Sequence, residues 1–200
     1  WRAVITIGDG IPSDRCISAN AHALARYAAL CQEAGLVPMV EPEVLMDGDH
    51  DIAICYEVTE ATLLETYAQL AEQRVVLEGT LLKPNMVLSG KSAANRAEPE
   101  EVAERSVTCF MRSVPAAVPG LVFLSGGQSD EEATVNLNAI SRRAAAAGVP
   151  WEMSFSFGRG LQAAPLKAWG GNAANLGRVK EAYYHRARVT SAARTGNYTA

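Results

Sequence analysis

"RVVLEGTLLKPN", residues 74–85, is an apolar run that ends on a lysine and a proline. Its central part, Val75–Leu82, reads as a buried strand. Buried strands seldom finish on an ammonium group followed by a ring with no N–H to donate. Lys83 is therefore either a side chain that reaches water along its apolar stem, or a group delivered to a strand end for chemistry. The ends of the other strands bear on that choice, and they also decide the fold.

Four more runs are rich in β-branched and apolar residues and lack a polar face: Ala3–Ile7, Val37–Val40, Leu121–Leu124 and Met153–Phe157. Strands covered on both sides read this way. Helical patterns separate them. Residues 13–34 carry Ile17, Leu24, Tyr27, Ala28 and Cys31 and stop at Gly35. Residues 59–73 place Leu63, Leu64, Tyr67 and Leu70 on one face. Residues 99–114 open with Pro99, then Glu100 and Glu101 against the positive helix end. Residues 129–147 start with Ser129 and Glu132 at capping-box spacing and end at Gly148. A last helix over 173–194 carries Leu176, Val179, Ala182 and Tyr183, with Lys180, Arg186 and Arg188 on a solvated outer face.

Strand–helix alternation of this regularity predicts an α/β protein with parallel strands and right-handed crossovers. No GxGxxG follows the first strand, so a dinucleotide site has no support. Polar residues stand instead at the end of strand after strand: Glu41 and Glu43, Lys83, Ser125 with Gly126 and Gly127, then Ser156 with Arg159. In a (β/α)8 TIM barrel all these ends meet at one mouth. In an open sheet they would be strung along an edge. The barrel is the reading we adopt. A whole barrel takes ~250 residues, and this chain of 200 supplies about the last five βα units. Residues 1–200 thus form a partial barrel domain that cannot close alone, with an edge exposed at Ala3–Ile7 and another at Met153–Phe157.

Composition excludes several classes. The net charge is −4, with no long basic run, so nucleic acid is not an expected partner. No apolar stretch approaches the ~20 residues that span a bilayer, so no membrane partner is expected. Cys16, Cys31, Cys55 and Cys109 are spread widely without a CxxC pair, which argues against a disulfide framework or zinc knuckle and for a reducing compartment. The chain opens on Trp1 without an initiator Met or signal sequence, as a fragment or a sequence lacking its upstream part would.

Lys83 is the leading candidate for chemistry. Alternation puts Leu77, Gly79, Leu81 and Lys83 on one side, and Pro84 keeps Lys83 extended. Partial desolvation at a barrel mouth would lower its pKa, and a neutral amine can form a Schiff base with a ketone. Glu41 and Glu43, two apart in "VPMVEPEV", face the same side. Like charges that close raise one pKa, which suits acid–base work near neutrality; the alternative is a pair of solvated loop carboxylates. "LSGGQSDEE" and "SFSFGRG" each read as strand, glycine turn and helix start, where backbone N–H groups can cradle a phosphate. Each alone could be a tight turn, but the loops after the last two barrel strands are a recurrent phosphate site. "DGDHD", residues 47–51, has no second histidine near it and reads as an exposed acidic loop rather than a metal centre.

"VPMVEPEVLMDGDHD", "LEGTLLKPNMV", "FLSGGQS", "SFSFGRGLQAAPLKAWGG" and the ending "GNYTA" together resemble the class I, Schiff-base-forming fructose-1,6-bisphosphate aldolases. The likeness runs over almost the whole chain. It implies reversible cleavage of fructose 1,6-bisphosphate to dihydroxyacetone phosphate and glyceraldehyde 3-phosphate, without a cofactor or metal. It implies that Lys83 is the Schiff-base lysine, Glu41 the general acid–base and Glu43 its companion carboxylate. It further implies that Ser125, Gly126, Gly127, Ser156, Gly158 and Arg159 hold one phosphate and that Arg2 lines the pocket. The family's first three strands and its C-terminal tail have no counterpart here, and two extra residues stand in "ISRRAAAAGVPW". A cytoplasmic or plastid location and a homotetramer of the full-length protein are further implications. The competing reading is a noncatalytic partial barrel, or a member of the family that serves as a protein-binding scaffold.

Overall fold

A computed structural model describes residues 1–199. Ala200, the last residue of "GNYTA", lies outside the described residues. Five parallel strands follow one another in chain order: β1 (Arg2–Ile5), β2 (Met39–Val44), β3 (Leu81–Leu82), β4 (Gly120–Phe123) and β5 (Glu152–Phe155). The helices are α1 (Asp14–Glu33), α2 (Ile52–Glu72), α3 (Pro99–Ser113), α4 (Asp130–Ala147), α5 (Arg159–Trp169) and α6 (Leu176–Arg194). α1 packs on α2, α2 on α3, α3 on α4 and α4 on α6.

This order distinguishes a barrel from a doubly wound sheet. A doubly wound sheet reverses its strand order once and carries helices on both faces. Here the order never reverses, and right-handed crossovers of one winding direction put every helix on one face. The burial pattern agrees. Along β1, Ala3 and Ile5 are buried beneath the helices, whereas Arg2 and Val4 are exposed on the other side. Val40 and Val44, Leu82, Leu121 and Phe123 continue the buried side and form its core with Phe110, Leu137 and Ile140. The chain is five consecutive βα units of a (β/α)8 barrel, with the inner face of the arc partly open.

Helix ends follow their local chemistry. Ser13 caps α1 by accepting from the Cys16 N–H at 3.2 Å, and Gly148 closes α4 in the left-handed conformation. At the start of α4 half of the capping box forms. Ser129 accepts from the Glu132 N–H at 3.1 Å, but the Glu132 carboxylate turns outward to Arg96.

Several expectations need correction. Val75–Leu82 is not one strand. Residues 77–79 form a 3₁₀ turn and only Leu81–Leu82 pair in the sheet. The cause is tertiary: the Gln32 amide on α1 donates to the Val76 carbonyl and accepts its N–H, at 2.8 and 3.0 Å, so this backbone is satisfied outside the sheet. The even spacing of Leu77 and Gly79 with Lys83 therefore has no structural meaning. The second strand does not stop at Val40 but runs through Pro42 to Val44, so Glu41 and Glu43 lie within β2. α2 starts seven residues before the expected position 59, because Asp51 caps it by accepting from Ile54 at 2.9 Å. Leu64 is exposed, the helix start expected after "SFSFGRG" runs on as α5 to Trp169, and Arg186, expected on the solvated face of the last helix, is buried.

Candidate active site

The mouth is built from register. Arg2 lies opposite Glu41 and Val4 opposite Glu43, while Met39 lies opposite Leu81. Two residues on, Lys83 comes opposite Glu41, and its N–H continues the ladder to the Val40 carbonyl at 2.8 Å. Lys83 Nζ stands 3.2 Å from Glu41 Oε1, with both side chains largely buried. On the other side, Arg2 Nη1 donates to Glu43 Oε2 at 2.7 Å. Across three strands the order is cation, two carboxylates, cation. The like-charge pair expected of Glu41 and Glu43 is thus resolved into two ion pairs, each carboxylate facing a cation of its own. A lysine and a carboxylate at hydrogen-bond distance can exchange a proton directly.

Asn85, unnoticed in the sequence, supports this row. Pro42 faces β3 and has no N–H to give it, whereas Pro84 faces β4, where its carbonyl accepts from Leu124 at 3.2 Å. The Val44 N–H, on the β3 side of β2, instead donates to Asn85 Oδ1 at 3.0 Å. Asn85 Nδ2 donates to Thr59 Oγ1 on α2 and to the Met86 carbonyl, at 3.1 and 3.0 Å. One buried amide thereby ties the end of β2 to α2.

A second group stands at the same, C-terminal end of the sheet. After β4, Ser125 is buried, and Gly126 and Gly127 turn with φ of 60° and 91°, where a side chain would be strained. A Cβ on Gly126 would also stand 2.8 Å from the Leu124 side chain. Gln128 fixes the turn, donating to the Ser125 carbonyl at 2.9 Å and accepting from Asn136 on α4 at 2.8 Å. After β5, the Ser156 N–H extends the ladder to Phe123 at 2.8 Å, and Gly158 precedes α5 without a side-chain cap. In the first turn of α5 the Leu161 N–H donates to the Gly158 carbonyl at 3.1 Å, which leaves the Arg159 and Gly160 N–H groups outside the helical pattern and able to face a ligand. Exposed Arg159 folds back over the glycine turn; its Nη2 is 3.9 Å from where a Cβ on Gly127 would be. Hydroxyls, turned backbone, a helix start and a guanidinium are together able to form an anion cradle. Among the described residues this group and the Lys83 row share no hydrogen bond or ion pair.

The acidic loop is only in part what was expected. Asp47, Asp49 and Asp51 are exposed, but His50 is buried with both ring nitrogens unpartnered. Burial lowers its pKa, against the opposing pull of Asp49 and Asp51. Among the described residues no three or more His, Cys, Asp and Glu side chains are grouped to hold a metal ion, and no helix is long and apolar enough to cross a membrane.

A barrel arc with a lysine–carboxylate pair at its mouth, and groups able to cradle an anion after β4 and β5, has the make-up of an enzyme site. Over residues 1–200 the chain matches the family model "Fructose-bisphosphate aldolase class-I", and it belongs to that family. It is 56% identical over 199 residues to a Xanthomonas campestris protein described as "Probable fructose-bisphosphate aldolase class 1", covering 99% of this chain and 59% of that one. Human "Fructose-bisphosphate aldolase B" is 54% identical over 198 residues, covering 99% of this chain and 54% of the other. A solved structure of fructose-bisphosphate aldolase from Plasmodium falciparum, in complex with TRAP and a small-molecule inhibitor, superposes with a TM-score of 0.96. It is 44% identical, and the match covers 100% of this chain and 57% of that one. The chain thus spans little more than half the length of these relatives.

Proposed function

We propose that the protein, at full length, is a class I aldolase that reversibly cleaves fructose 1,6-bisphosphate to dihydroxyacetone phosphate and glyceraldehyde 3-phosphate. The observation that carries this is the largely buried Lys83–Glu41 pair at 3.2 Å, at the barrel mouth of a chain in this family. Lys83 yields a proton to Glu41 and attacks the ketone carbon, giving a carbinolamine. Glu41 returns the proton to the carbinolamine oxygen, which leaves as water, and an iminium remains. Glu41, again a carboxylate, takes the proton of the hydroxyl on the carbon beyond the neighbouring carbon–carbon bond. That bond breaks, its electron pair moves into the iminium to form an enamine, and the hydroxyl carbon departs as the aldehyde, leaving on Glu41 the proton that the enamine takes up next. Protonation of the enamine and hydrolysis then release the ketone and the free amine. The iminium is the electron sink, so the proposal needs no cofactor. Glu43, held by Arg2, keeps a second carboxylate beside the reacting atoms, and Arg2 lines the pocket. Ser125, Gly126, Gly127, Ser156, Gly158 and Arg159 hold one phosphate of the substrate.

Two plant relatives, from Arabidopsis thaliana and Pisum sativum, carry "cytosolic" and "cytoplasmic" in their names, and we assign this protein to the cytoplasm on that ground. The family resemblance supports a homotetramer of full-length chains. Borohydride reduction in the presence of dihydroxyacetone phosphate tests the mechanism. The full-length protein should become covalently labelled at one lysine, and Lys83→Met should abolish the label. No label in the parent, or an undiminished one in Lys83→Met, would refute the proposal.

A further inference from the structure

Arg186 lies in the middle of α6, yet it is one of the most buried charges of the chain, 8% exposed. Its Nε donates to the Gly160 carbonyl in the first turn of α5, at 2.9 Å. Its Nη2 donates to the Asp130 carbonyl and to Thr134 Oγ1 in the first turns of α4, both at 2.9 Å. The Asp130 carboxylate lies 3.8 Å away. One guanidinium therefore clamps together the starts of the two helices that follow the two cradle loops. Gly160 is the residue after Arg159, and Asp130 is three after Gly127.

The arrangement is costly for stability alone. A buried cation loses its hydration, and at two helix starts it also meets the positive ends of both dipoles. α5 needs such a tie, because it is short and Gly158 gives it no side-chain cap. Helix start, Arg159 and Arg186 all add positive potential on one side of the cradle. The Asp130 carboxylate answers Arg186 in part, and a bound dianion adds counter-charge for all three.

We propose that Arg186 is a positioning residue for the phosphate cradle: it sets the start of α5, and with it Arg159, against the Ser125–Gly127 turn. This rests on the cradle being a phosphate site. The test uses the full-length protein with inorganic phosphate as competitive probe, alongside KM and kcat for fructose 1,6-bisphosphate. Borohydride trapping of Lys83 with unphosphorylated dihydroxyacetone reports on the lysine without the cradle. Arg186→Met should raise the phosphate inhibition constant and KM together by about tenfold. It should leave trapping with dihydroxyacetone within about twofold, and Arg186→Lys should recover part of the phosphate affinity. Unchanged phosphate affinity, or an equal loss in both readouts, would overturn the role. Should Arg186→Met not fold, Thr134→Val removes one neutral partner of the clamp and should still weaken phosphate about threefold; no change there would overturn it equally. Arg159→Ala separates the two readings. If it leaves phosphate binding intact, the cradle itself is misread. If it weakens phosphate while the Arg186 variants do not, only the positioning role fails.

Discussion

His50 shows what burial does to a single titratable residue. Its ring has lost water without gaining a protein partner, so the neutral form is favoured in the folded state and the pKa falls below 6.5. An unfolded chain restores the ordinary value and binds the proton more readily. Between the two values the unfolded state therefore carries more protons, and stability rises with pH. This contribution is present above pH 6.5 and is lost as pH falls through the folded value. The full-length protein should show a denaturation midpoint that drops on acidification below about pH 6.5. His50→Gln should flatten that part of the profile, and an identical slope in the variant would contradict the assignment. The histidine was visible in "DGDHD", but its burial was not. Burial is set by the backbone around it: the Gly90 N–H donates to the His50 carbonyl, and a Cβ on Gly90 would stand 2.5 Å from the Gly48 carbonyl oxygen.

Among the elements, β2 carries the heaviest demand. It is a central strand interrupted by Pro42, next to a two-residue β3 that ends before Pro84. Central strands rarely tolerate such gaps, and Asn85 fills this one. Asn85→Leu would leave the Val44 N–H, the Thr59 hydroxyl and the Met86 carbonyl without that partner in a buried region. A loss of ~2–4 kcal/mol is expected in chemical denaturation of the full-length protein, against about 1 kcal/mol for Thr59→Val, which breaks one of the three bonds. A change below about 0.5 kcal/mol for Asn85→Leu would show that the sheet does not depend on it. Helix starts were legible at Ser13, Pro99 and Ser129 because capping and N-terminal proline act over three or four residues. The Val75–Leu82 run misled because a glutamine more than forty residues upstream decides its conformation.

At the scale of the molecule, the arc has two ends and an inner side. β1 and β5 each pair with one neighbour only, and Val4 and Arg2 are exposed on the inner face. Outside the arc, Trp1, Leu30, Leu36 and Val37 are exposed too. Unpaired strand edges and open apolar surface favour association. A polypeptide of residues 1–200 alone should therefore aggregate and fail to form the borohydride-trapped adduct. A monodisperse, trapping-competent preparation of it would contradict this account. The barrel itself was legible from polar residues recurring at strand ends, because only a closed arrangement brings such ends together.

Local order was within reach of the sequence alone. Strand–helix alternation, most helix termini, and Lys83, Glu41 and Glu43 at one end of the sheet all follow from periodicity, capping and proline geometry, which act between near neighbours. Which carboxylate meets which cation was decided only in three dimensions: parallel register sets both Lys83 and Arg2 opposite Glu41, Lys83 pairs with it, and Arg2 reaches diagonally along β2 to Glu43. The same holds for Asn85 as a patch in the ladder and for Arg186 as a buried clamp. Their partners lie 26 to 56 residues away, apart from the Met86 carbonyl beside Asn85. The barrel winding, not the local pattern, brings those distant partners to the same place.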